Sequence, residues 1–200
     1  ADQNGTVFDL RWQDEWLRQL YVPLLGPHQA VNAAVAAVVG FTMGLSEEAV
    51  RAGLEQVAWP GRFELVERAP AVVLDGAHNE DAARALATSL ATVFPGVRPV
   101  FVMGVLQEKP VDRILRTLLP LGRAVVFTAP KESRTPPMEP EELVRRAEGL
   151  IEDVAVEEDA GRALARAKEW AGPDGLVCGS LYLVGEVRAQ LAGKYSFVRE

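Results

Sequence analysis

From about residue 70 the chain alternates short, continuous apolar runs with amphipathic segments. Residues 71–75, 98–104, 124–128, 151–156 and 175–179 read as strands. Helices are predicted between them over 80–93, 111–119, 141–148 and 159–170, with a last one over 181–191. A strand that is apolar at every position has no solvent face, so its sheet must be covered on both sides. Helical crossovers between such strands make the sheet parallel. The expected fold class is α/β, an open, mostly parallel, doubly wound sheet with helices on both faces.

The first 60 residues follow another pattern. Residues 6–10 and 20–25 read as strands, and Gly26-Pro27 opens a helix over 28–41, with proline where its missing N–H costs nothing. That helix is apolar nearly all round, which predicts burial. Ser46-Glu47-Glu48-Ala49 reads as the capped start of a second helix, running to about Val57. Trp59-Pro60-Gly61 breaks the pattern and marks the expected boundary. Residues 1–60 form too small a core to stand alone and are expected to be the helical tail of a larger, incomplete domain. Residues 61–200 are expected to form the second domain.

Composition narrows the function classes. Of 200 residues, 48% are hydrophobic and 24% charged, enough apolar matter for a packed core. No apolar run approaches the roughly 20 residues that span a bilayer, and the first residues do not resemble a secretory signal. A net charge of −7 is a poor footprint for nucleic acid or an anionic membrane, so neither is expected as a partner. One cysteine and two histidines make neither an internal disulfide nor a usual structural zinc site. These counts lead to the expectation of a soluble, cytoplasmic protein, and a monomer is expected as well.

In an open parallel sheet, ligands bind beyond the carboxyl ends of the strands. The turn Leu74-Asp75-Gly76-Ala77-His78-Asn79 places a carboxylate, a glycine and an imidazole at one such end. Asp75 there can accept hydrogen bonds from ribose hydroxyls, and the helix start suits an anion. Asp75 and Asn79 can equally serve only to cap the helix, and both readings stand. Ser180 offers a hydroxyl at another strand end, or a plain N-cap. Lys109 lies near the same edge, as a ligand contact or a solvated charge. The proline-rich loop around 131–137 is a candidate binding loop or mere surface. Arg62, just after the boundary, can place a fixed positive charge where phosphates need one, or form a surface ion pair. His28 and Asn32 share one face of the first helix, as core hydrogen-bonding groups or ligand contacts. The chain contains no G-x-G-x-x-G fingerprint, no G-x-x-x-x-G-K-[ST] phosphate loop and no G-x-S-x-G elbow.

Four motifs in order carry a resemblance: Gly26-Pro27-His28-Gln29-Ala30-Val31-Asn32-Ala33, Trp59-Pro60-Gly61-Arg62-Phe63-Glu64, Leu74-Asp75-Gly76-Ala77-His78-Asn79, and Gly179-Ser180-Leu181-Tyr182-Leu183-Val184-Gly185. Together they resemble the folylpolyglutamate synthase and dihydrofolate synthase family of the Mur ligase superfamily, over essentially the whole chain. The resemblance implies the end of a central ATPase domain followed by a complete C-terminal Rossmann-like domain. It also implies a ligase that adds L-glutamate to folate or dihydropteroate with ATP and Mg²⁺, through an acyl phosphate. Carried over by motif, Asn32 contacts the adenine side of ATP, Arg62 the phosphates and Asp75 the ribose. His78 and Ser180 match positions that bind or orient the incoming glutamate. His28 matches a motif position without an assigned role.

The chain departs from the family pattern in Glu80, where proline is usual, and in Gln107-Glu108-Lys109-Pro110, where Asp-Lys-Asp is frequent. A phosphate loop and the metal ligands are expected upstream of Ala1. The parent is therefore expected to be the enzyme, and this chain alone to be inactive. Two alternatives stand beside this reading: a Mur-type peptidoglycan ligase, disfavoured by the Gly-Ser-Leu-Tyr-Leu-Val-Gly and Trp-Pro-Gly-Arg spellings, and a non-catalytic nucleotide-binding or interaction module.

Overall fold

The computed structural model describes residues 1–131 and 135–179, together with Gly185. Its chain divides into two compact units, residues 1–64 with 88–96, and residues 65–87 with those from 97 onward.

The first unit begins with an antiparallel hairpin of β1 (Thr6–Trp12) and β2 (Glu15–Val22), with a register shift between Phe8 and Leu10. Helices α1 (His28–Thr42) and α2 (Glu47–Glu55) follow. Ser46 caps α2 by accepting from the Ala49 N–H at 3.2 Å, as its position before two glutamates predicts. Leu17, Leu20 and Val22 of the hairpin pack with Ala33 and Ala37 of α1 and Val50 and Leu54 of α2. The second strand runs earlier than its apolar residues suggest, starting at Glu15 instead of near Leu20. Pairing with β1 determines its extent, and its outward positions tolerate charge. One further expectation is corrected. α1 is not buried all round, because Val31, Val35 and Val39 are exposed on the side away from this core.

The second unit is a six-stranded sheet with the order β3-β4-β8-β5-β6-β7. Its strands are β3 (Glu64–Arg68), β4 (Ala71–Leu74), β5 (Val100–Met103), β6 (Ala124–Phe127), β7 (Asp153–Val156) and β8 (Leu176–Gly179). From β4 to β7 every neighbouring pair is parallel. Between them run α3 (Glu80–Val93), α4 (Val111–Leu118), α5 (Pro140–Ala147) and α6 (Ala160–Ala171). Alanines 160, 163 and 167 let α6 lie close on Val72, Val100, Val102, Val126 and Val177. The alternate residues Val73, Phe101, Val125 and Phe127 are just as buried, so both faces of the sheet are covered. This is the open, mostly parallel α/β sheet that the apolar runs require. Among the described residues no helix is long and apolar enough to cross a membrane. The expected helix over 181–191 lies outside the described residues.

Candidate functional site

In the first unit a cavity of about 740 Å³ opens between α1, α2 and the segment that follows them. Its polar lining is His28, Gln29, Asn32 and Arg62, and Ala33, Val57 and Trp59 are among its apolar walls. Asn32 and Arg62, thirty positions apart in sequence, therefore meet in one hollow. His28 and Asn32 reach it together because residues four apart lie on one helical face. Gln29 is buried and accepts from the Asn32 amide at 3.2 Å. That bond uses one amide hydrogen and leaves Asn32 a carbonyl oxygen and a second hydrogen. Such a donor–acceptor pair beside apolar walls suits the edge of a flat heterocycle. The sequence reading gave no role to Gln29 or Trp59. The spacing of three between Gln29 and Asn32 was the available signal for the first.

The turn into α1 is built on Gly26, whose φ is +102°, and a Cβ there would lie 2.5 Å from Ser89 Oγ. Closeness of this kind lets Ser89 Oγ sit 3.3 Å from His28 Nδ1. Arg62 stands between Gly61, with φ +72°, and Phe63, with φ +48°. The Gly61 N–H donates to Glu64 Oε2 at 2.7 Å, closing the turn. Phe63 is fully buried, so its ring holds a backbone that a bulky residue seldom adopts. Arg62 itself is exposed and has no ion-pair partner among the described residues. It brings a permanently charged guanidinium to the cavity.

In the second unit Asp75 lies at the carboxyl end of β4, nearly buried, and accepts from the Ala77 N–H at 2.8 Å. His78 places Nδ1 2.9 Å from the Gly76 carbonyl oxygen. A carbonyl only accepts, so Nδ1 carries the hydrogen, and Nε2 of the neutral ring is left as an acceptor. Asn79 caps α3, accepting from the Ala82 N–H at 2.8 Å. The capping role thus falls to Asn79, while Asp75 shapes its own turn. Glu80 pairs with Arg84 and Arg113, and the Arg113 hydrogen bond is the main cause holding its carboxyl below the usual range. Cys178, beside Val73 in the sheet, is buried, and that burial, with the nearby Asp75 carboxylate, pushes its thiol well above the usual range.

The remaining candidates fare differently. Lys109 is paired with Glu108 at 2.6 Å. Part of the proline-rich loop is tied down, with the Met138 N–H donating to the Val105 oxygen at 2.8 Å and the Gln107 N–H to the Pro136 oxygen at 3.2 Å. Ser180 lies outside the described residues. Among the described residues no three His, Cys, Asp or Glu side chains gather as a metal site.

The Mur ligase, glutamate ligase domain family matches residues 61–180. The dihydrofolate synthase/folylpolyglutamate synthase of Bacillus subtilis is 29% identical over 196 residues, covering 94% of this chain and 44% of its own length. A Mycobacterium tuberculosis folylpolyglutamate synthase complexed with ADP superposes with a TM-score of 0.84 at 34% identity, covering 98% of this chain and 46% of that one. A bifunctional folylpolyglutamate synthase/dihydrofolate synthase from Yersinia pestis, complexed with AMPPNP and a Mn ion, gives 0.75 at 29% identity, covering 90% and 43%. The chain thus spans less than half the length of these three proteins.

Proposed function

The chain belongs to the Mur ligase family, as a C-terminal portion related to folylpolyglutamate and dihydrofolate synthases, and on that premise we propose that it supplies nucleotide and glutamate contacts to an ATP-dependent ligase. The parent enzyme adds L-glutamate to the carboxylate of a folate or of dihydropteroate. The observation that carries this reading is the cavity of the first unit, where an amide edge, apolar walls and an unpaired guanidinium stand together.

The residues fit an adenine nucleotide. Asn32, fixed by Gln29, hydrogen-bonds the base, and Trp59 and Val57 give it apolar contact. Arg62 binds the phosphates, where a planar, permanently charged fork is worth most. By its motif alone, Asp75 of the second unit is assigned to the ribose hydroxyls. ATP supplies the phosphoryl group that activates the acceptor carboxylate, with a divalent cation, Mg²⁺, whose ligands belong to the polypeptide upstream of this chain. His78, held by Gly76 in the tautomer that leaves Nε2 an acceptor, orients the amine of the incoming glutamate. Ser180 assists it.

The test is ATP-dependent incorporation of labelled glutamate by the full-length polypeptide, with folates, dihydropteroate and UDP-muramoyl acceptors compared side by side. Transfer to a pteroate acceptor, and none from residues 1–200 alone, is the expected result. Preference for the muramoyl acceptor overturns the substrate class. Turnover by residues 1–200 alone overturns the division of labour.

A further inference from the structure

The backbone of Arg62 is held from both sides. After it stands Phe63, left-handed at φ +48° with its side chain fully buried, a state that the surroundings must enforce. Before it stands Gly61, buried and left-handed at φ +72°. The Gly61 N–H donates to Glu64 Oε2 at 2.7 Å. A carboxylate acceptor at that distance makes the stronger, charge-assisted kind of hydrogen bond. Reaching back three positions, the Glu64 side chain bridges the two ends of a short loop that encloses Arg62 and Phe63. Arg62 lines the cavity, and Glu64 does not belong to that lining.

We propose that Glu64 is a positioning residue for nucleotide binding. Its carboxylate acts on the phosphates through Arg62, by clamping the Gly61 amide and so fixing the point from which the guanidinium reaches the cavity. This rests on the reading of Arg62 as the phosphate contact. Arginine has a long, rotamer-rich side chain whose ordering opposes binding. Fixing its backbone beforehand removes part of that cost before the ligand arrives. The same bond accounts for a negative charge so near a cation meant for phosphates. A carboxylate two positions from a guanidinium can compete with phosphates for it. Engaging Oε2 with the Gly61 N–H lessens that competition.

The test is a double-mutant cycle in the full-length polypeptide, read by calorimetric titration with ADP. Glu64→Ala should weaken ADP binding by roughly fivefold or more, the order of one lost hydrogen bond. Glu64→Gln keeps an oxygen that accepts from the Gly61 N–H and should stay within about twofold of the native affinity. In a chain that already carries Arg62→Ala, adding Glu64→Ala should change affinity by less than about twofold, because the residue it acts through is gone. If the alanine variant does not fold, Glu64→Asp, one methylene shorter, takes its place in the cycle with the same expectations. A loss of equal size in both backgrounds overturns the proposal, as does native affinity in Glu64→Ala. A Glu64→Gln variant as weak as Glu64→Ala overturns it too, since the charge and not the turn would then be the cause. These three outcomes leave the phosphate reading of Arg62 standing. Unchanged affinity in Arg62→Ala alone removes that reading, and this proposal with it.

Discussion

Phe63 holds a left-handed backbone and sets its ring edge-on against Phe94, with centroids 6.3 Å apart and planes at 68°. The ring anchors a turn whose preceding residue is Arg62. Phe63→Ala should cost about 3–5 kcal/mol of stability, as for other buried phenylalanines. Urea denaturation of the variant measures the loss. A change under about 1 kcal/mol would show that the turn is held by something else.

Arg62 should behave in the opposite way. It is exposed and unpaired, so Arg62→Ala should change stability by no more than about 0.5 kcal/mol. Nucleotide affinity should fall by roughly tenfold or more, the worth of a charge-assisted hydrogen bond. Calorimetric titration of the full-length protein with ADP compares the two effects. Unchanged affinity would remove Arg62 from the phosphate site.

The turn after β4 separates a structural from a binding role. Asn79→Ala removes the cap of α3 and should cost about 1 kcal/mol. Asp75→Asn keeps an oxygen to accept from Ala77 but removes the charge. It should leave the melting temperature nearly unchanged while weakening ADP binding. Equal stability losses in the two variants would assign Asp75 to capping as well.

Acid should lower the stability of the chain in part through carboxylates held by hydrogen bonds at its surface. The Gln19 N–H holds Asp9 below its ordinary 3.8, the Arg162 N–H does the same for Asp159, and Arg145 holds Glu142 below 4.5. A depressed native value means that the unfolded chain binds more protons in that range. Stability from these groups is therefore complete above the ordinary values and is lost as pH falls through the lowered ones. Melting temperature should stay level from neutrality to about pH 5.5 and then drop. Asp159→Asn should make the drop shallower. A melting temperature that rises on acidification through this range would contradict the sign.

The parallel strands were legible in the sequence because a sheet covered on both faces needs uninterrupted apolar runs, as in Val72-Val73-Leu74 and Val125-Val126-Phe127. β3 was missed, since Glu64-Leu65-Val66-Glu67-Arg68 is mostly charged and half-exposed. Glu67 gains its place through an ion pair with Lys168 at 2.6 Å, a partner a hundred positions away. The same limit applies to the first cavity. Helical spacing joined His28 to Asn32, but nothing local shows that Arg62 comes to them. For the turn at Asp75, spacing allowed capping and binding alike, and only the Asn79 hydrogen bond separates the cap from its neighbour.

The place of β8 sets a constraint on biosynthesis. Residues 176–179 come last among the described strands, yet they lie between β4 and β5 in the middle of the sheet. A ribosome delivers β4 to β7 before the strand that joins them, leaving two open edges facing each other while translation continues. The nascent chain must keep those edges apart from other chains, or under chaperone cover, until β8 emerges from the exit tunnel. A stop codon shortly before Leu176 would therefore split the sheet at its centre instead of trimming its margin.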